Sequence, residues 1–174
     1  MQIQFIFNEG DVKNLAPISR NIAGEYISAA MFEAQEIGLK QIIGSNMLHA
    51  LKAAEIARNW PAPLASLKEA ALPFLVYRTI VALIPKVSTK IANIGVYQST
   101  DEKVAPVRKE DVDSLIESYQ ANADYFAHEL QVFIVDHLAD YAAIDAGQCS
   151  CIEANLRSMA SCGIWLGGPR GIEL

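Results

Sequence analysis

Positive charge is scarce in this chain: 14 Lys and Arg stand against 20 Asp and Glu, for a formal net charge of −6. The few basic residues form no polybasic block. That argues against a protein that grips nucleic acid by broad neutralisation of phosphates and leaves room for DNA to pass nearby without being held. Cysteine is also scarce. Cys149, Cys151 and Cys162 are an odd set without a secretion signal, which reads as reduced thiols in a cytoplasm. The opening MQIQFIF has no basic stretch and no small-residue cleavage site, so it is not a signal peptide. The longest apolar run, Ala70 to Val87, is interrupted by Pro73, Arg78 and Pro85. It falls short of the roughly 20 apolar residues of a membrane span and reads as a buried helix. Aromatic residues make up only 8%.

What is present is apolar and helix-forming. The chain has 174 residues, 52% of them hydrophobic, with Ala, Leu and Ile prominent. This length fits one domain with a core of its own. The predicted fold is mainly α: a multi-helix bundle with one long C-terminal helix and a small β-hairpin or extended arm. The predicted organisation is a helical domain over residues 1–146 and a Gly- and Cys-containing C-terminal arm over residues 147–174.

Along the chain, Ile3, Phe5 and Phe7 alternate with Gln2, Gln4 and Asn8, a short period-2 pattern or an extended arm. Asn8 or Gly10 can start a single helical turn through Leu15, closed by Pro17. Ser19 is a candidate N-cap for the next helix. Its apolar stripe is Ala23, Ile27, Ala30, Met31, Ala34, Ile37 and Gly38, and Gly44 ends it. Ser45 can cap a third helix to about Asn59. A turn at Trp60 to Pro63 leads to a fourth helix, Leu64 to Ile84, which is apolar nearly all round beyond Pro73 and therefore central. Pro85 is predicted to end it. Val87 to Ser99 favours short strands with a turn at Asn93 to Gly95, and a polar loop, STDEKVAP, follows. Lys109 to Ile144 is predicted as the longest helix. Its face carries Val112, Leu115, Ile116, Tyr119, Ala123, Phe126, Leu130, Phe133, Ile134 and Leu138, with acidic residues at its N-terminal dipole end.

Chemistry-bearing residues do not assemble into a motif. A zinc site on Cys149, Cys151 and Cys162 lacks a fourth ligand. Asp124, His128, Glu129, Asp136, His137 and Asp140 crowd the long helix without the Glu-x-x-His pairs of a di-metal bundle. His49 stands alone and is predicted to be a partly buried structural residue. Gly167 to Gly171, GGPRG, lacks the Lys and Ser/Thr of a phosphate-binding loop. Arg78, inside an apolar helix, is predicted to snorkel or to pair with a buried carboxylate. No catalytic, cofactor or metal residue is assigned. A small helical metal- or ligand-binding enzyme using Asp124, His128, His137 and Asp140 is the first alternative. A host helical interaction module is the second.

The order of parts resembles the head–tail connector proteins of tailed bacteriophages and prophages, in the variety found in gut anaerobes. The matching pieces are an acidic opener, EGDVKNL; an Ala-rich helix ending in IIG at Ile42 to Gly44; a central apolar helix leading into NIGV at Asn93 to Val96; and a polar loop with Pro106 before a long helix. The likeness covers Phe5 to Ile144. It implies a structural, non-catalytic adaptor that forms a homo-oligomeric ring between phage portal and tail-completion proteins, with DNA passing through the lumen. It also implies no membrane partner and a location in the host cytoplasm during assembly and then in the virion. On this resemblance the candidate interface residues are Ile94, Gly95, Val96, Tyr97, Trp165 and Arg170.

Overall fold

The structure, a computed structural model, describes residues 4–15, 22–92, 95–98 and 109–161. It is a mainly α, multi-helix bundle. Its order is α1 (Glu9–Leu15), α2 (Gly24–Glu33), a π-helical turn (Ala34–Leu39), α3 (Lys40–Ala57), α4 (Ala62–Ser88), β1 (Thr89–Ala92), β2 (Gly95–Gln98), α5 (Lys109–Asp136) and α6 (Leu138–Ser161).

Residues 4–8 form no strand, and the predicted alternation fails there: Ile6 and Phe7 are both buried, with Phe5 only partly so. A consecutive buried pair cannot lie on one face of a period-2 strand. Asn8 then caps α1 reciprocally. Asp11 N–H donates to Asn8 Oδ1 at 3.1 Å as well as to the Asn8 carbonyl at 3.1 Å, and Asn8 N–H donates to Asp11 Oδ2 at 2.8 Å, the reciprocal pattern of a capping box.

Helix α2 begins at Gly24, after an extended Ala23 that gives no side-chain cap. The predicted cap, Ser19, lies outside the described residues. A Cβ at Gly24 would meet Glu9 Oε2 at 3.1 Å, so a carboxylate sits at this N-terminus, where the helix dipole favours negative charge. The chain then widens into the π-helical turn, which shifts the stripe. Gln35 and Leu39 are buried, whereas Ile37, predicted to face inward, is exposed. Gly38 allows a close approach: a Cβ there would lie 3.2 Å from both Phe74 Cζ and Arg78 Cγ of α4.

Gly44 interrupts α3 at φ +81°, ψ 170°, a conformation that glycine adopts without the Cβ penalty. The helix ends with Arg58 in the left-handed region, its N–H donating to the carbonyls of Ala54 and Glu55.

Helix α4 is the central element, packed by α5, α2, the π-helical turn and α1. Pro63 lies in its first turn, where the missing N–H is harmless. Pro85 does not end the helix as predicted. The helix runs on to Ser88, because a proline removes one rung and strains one carbonyl, and an exposed last turn can absorb that. Among the described residues, Ala62–Val87 is the one stretch long and apolar enough to cross a membrane, with a mean hydropathy of 1.5. In this fold it packs against α1, α2, α3 and α5. It leads directly into β1, which pairs antiparallel with β2, Ile91 opposite Val96.

The single long helix predicted over Lys109 to Ile144 is two helices. The break falls at His137, whose N–H bonds to the Ile134 carbonyl at 3.2 Å while its own carbonyl accepts from Asp140 N–H at 3.0 Å. A second break lies inside α6 at Asp145, φ −154°, ψ 76°. Helix α6 then crosses the predicted start of the C-terminal arm and continues to Ser161, with Cys149 and Ile152 in the main core. Residues 162–174 lie outside the described residues.

Candidate functional site

Two arrangements gather polar groups into the interior. The first is a seat for the N-terminal segment, built on the π-helical turn. The extra residue of that turn carries Gln35 fully inside the core. Its Oε1 accepts from Ile6 N–H at 2.9 Å, and its Nε2 donates to the Gln4 carbonyl at 2.9 Å and to Glu36 Oε1 at 2.8 Å. One side-chain amide thus reads an N–H and a carbonyl two residues apart, as a residue of a parallel strand would. Glu36 is in turn ion-paired to Lys52 of α3. Burial raises the Glu36 carboxyl, but the hydrogen bonds from Lys52 and Gln35 and the charges of Lys52 and Lys40 outweigh it and hold the group below its ordinary value.

The second arrangement joins the two helix breaks. A Cβ at Gly44 would lie 3.1 Å from Gln148 Cγ and 3.2 Å from Asp145 Oδ2, so glycine suits both the positive φ and the close approach of these two side chains. Asp145 Oδ1 accepts from Gln148 N–H at 3.2 Å and so caps the second part of α6. Gln148 Nε2 donates to the Ile42 carbonyl at 2.7 Å. In an uninterrupted helix that carbonyl would serve residue 46; at the Gly44 break a side chain from α6 serves it. An open groove of about 420 Å³ runs beside this junction, lined by Glu36, Ile37, Lys40, Gln41, Ser45 and Gln148. Burial, followed by the Asp145 charge, pushes the Cys149 thiol above its ordinary value, so it is a poor nucleophile.

The residues singled out in the sequence are dispersed. Gly95, Val96 and Tyr97 lie in β2, while Ile94, Trp165 and Arg170 fall outside the described residues. Asp124 accepts from Gln120 Nε2 at 2.7 Å, and His128 beside it is exposed. The exposed His137 has Nδ1 2.8 Å from the Phe133 carbonyl and lies against the Phe133 ring. Among the described residues no three His, Cys, Asp or Glu side chains form a metal-binding group. His49 is exposed rather than partly buried, since α3 turns that side to solvent. Among the described residues Arg78 forms no ion pair with a buried carboxylate. Its Nη1 donates to Gln120 Oε1 at 2.7 Å, and Gln120 passes the contact on to Asp124.

Sequence reasoning missed Gln35, Asp145 and Gln148. Asp145 and Gln148 do carry a signal, the spacing of a capping box. Gln35 carries a weaker one: a polar residue between stripe positions, three before a glycine.

No curated protein and no solved structure matches the chain. A family of unknown function, DUF6712, matches residues 32–153. That span takes in the π-helical turn, the Gly44 break and the Asp145–Gln148 pair and leaves out α1. It covers more than two thirds of the sequence, and the chain therefore belongs to the DUF6712 family.

Proposed function

We propose that this chain is a structural subunit of a phage or prophage head–tail connector, an adaptor that assembles as a ring beneath the portal and lets DNA pass without gripping it. The observation that carries this reading is the order of parts. An acidic opener is followed by an Ala-rich helix ending in IIG at Ile42 to Gly44, then a central apolar helix leading into NIGV, a polar loop with Pro106 and a long amphipathic stretch.

Two physical features support it. The net charge of −6 suits a lumen through which DNA slides. The paired segments β1 and β2 hang from the end of the most central helix, so a contact made there is braced by the core. In this reading Ile94, Gly95, Val96 and Tyr97 touch a neighbouring copy or the portal, Trp165 and Arg170 add contacts from the C-terminal stretch, and no step is catalysed. The subunit works in the host cytoplasm during assembly and then within the virion.

Native mass spectrometry and electron microscopy of the purified chain, alone and with a phage portal protein from the same genome, test the proposal. A ring of many copies on the portal is the expected result. A chain that stays monomeric and ignores the portal would contradict it, as would a gene neighbourhood without portal, capsid or tail genes.

A further inference from the structure

We propose that the Gln35 seat is a site of arm exchange: in the assembled ring it receives residues 4–8 of a neighbouring copy, in the place those residues take within the isolated subunit. This inference rests on the connector reading and deepens it.

The seat recognises main chain. Gln35 binds the Gln4 carbonyl and the Ile6 N–H, groups that any copy offers identically. Ile6 and Phe7 then enter the core. An empty seat is disfavoured, because Ile6 and Phe7 would leave the core and the Gln35 amide would lose two partners. Release alone is therefore opposed, whereas replacement by the same segment of another copy restores every contact. Exchange of identical elements is a low-cost route to association for this reason.

The arm is built to travel. Its Asn8–Asp11 cap and its Glu9–Lys13 ion pair are internal to residues 8–13, so α1 keeps them wherever it goes, and the neighbouring copy offers again the α2 and α4 surfaces that α1 leaves. Within α1 only Val12 is fully buried.

The test uses the full chain. A Phe5→p-benzoylphenylalanine variant of natural isotopic mass is mixed with heavy-isotope, unmodified chain and irradiated before and after ring formation on the portal. Crosslinked peptides are then assigned by mass. In the monomer, light arm peptides should join light peptides around Gln35, which also shows that the variant folds. In the ring, light arms should join heavy seat peptides in a share set by the mixing ratio. A ring with light–light crosslinks alone would overturn arm exchange and leave the connector reading standing. Failure of the chain to assemble at all would overturn both.

Discussion

The two halves of α5 carry one continuous amphipathic pattern and meet different surroundings. In the second half Ala123, Leu130 and Ile134 are fully buried. In the first half, Lys109 to Asn122, no residue is fully buried, and Leu115 is 47% exposed. The second half has neighbours on several sides, α4, α6 and α3 among the packed partners of this helix. The first half has chiefly the C-terminal part of α4, where Tyr119 lies in a small cluster with Val76, Ile80 and Ile84 and against Tyr77, ring centroids 6.3 Å apart. An apolar stripe states that a helix has a partner; it does not state whether that partner belongs to the same chain. The under-covered half lies toward the end of α4 from which β1 and β2 depart, the end to which the connector reading assigns contact with other subunits.

The sharpest break of this comparison is Leu130→Ala, which should destabilise the chain by about 2–5 kcal/mol through loss of burial and a residual cavity. Denaturant unfolding reads it. A loss as small as that of a surface residue would mean that the second half is no better covered than the first.

Next in size is Gln35→Leu. It leaves the Ile6 N–H and the Gln4 carbonyl without partners and should cost roughly 1–3 kcal/mol. Hydrogen exchange at Ile6 should rise more than at Leu130, because the arm loses its seat while the α4–α5 contact stays intact.

Tyr141 extends the comparison to α6. Its hydroxyl donates to the Pro63 carbonyl at 3.0 Å. Burial, with the charges of Asp140 and Cys149 acting in the same direction, pushes it from 10.0 up to about 12. The folded chain therefore holds this proton where the unfolded chain gives it up. The stability it contributes is whole below pH 10 and falls as the pH rises toward 12. Tyr141→Phe should cost about 0.5–1.5 kcal/mol at neutral pH from the lost hydrogen bond. It should also flatten the alkaline decline relative to the parent, as measured by thermal unfolding at stepped pH.

The smallest expected change is Leu115→Ala, within about 0.5 kcal/mol as for an ordinary surface position. Paired with Leu130→Ala, it sets the contrast between the halves as a measured difference. If Leu115 serves an interface, the same variant should weaken ring assembly while leaving the isolated chain's stability unchanged.

Periodicity alone revealed much of the interior. Ile27, Ala30, Met31 and Ala34 of the predicted stripe are all buried, as are Phe74, Leu75, Ile80 and Leu83 of the central helix. The Gly44 break was legible because a glycine can hold φ +81°. What stayed hidden has physical causes. A π-helical turn inserts a residue that no local propensity marks, so Ile37 of the predicted stripe turns outward and Leu39 is buried. The break at His137 has no glycine or proline to announce it; backbone bonds between residues 134 and 140 create it. Pro85 misled because a proline one turn from an exposed helix end costs only a rung. Gln35 is apparent as a seat only once residues 4–8 are known to lie across it, a contact spanning 29 positions.

The connector proposal assigns residues 94–96 to a contact between subunits. Replacing Ile94, Gly95 and Val96 with serines tests it most directly, with thermal unfolding of the isolated chain and ring formation on the portal measured side by side. The connector account predicts an unchanged unfolding temperature together with lost or much weakened rings. An isolated chain that unfolds, or rings that form as before, would contradict it.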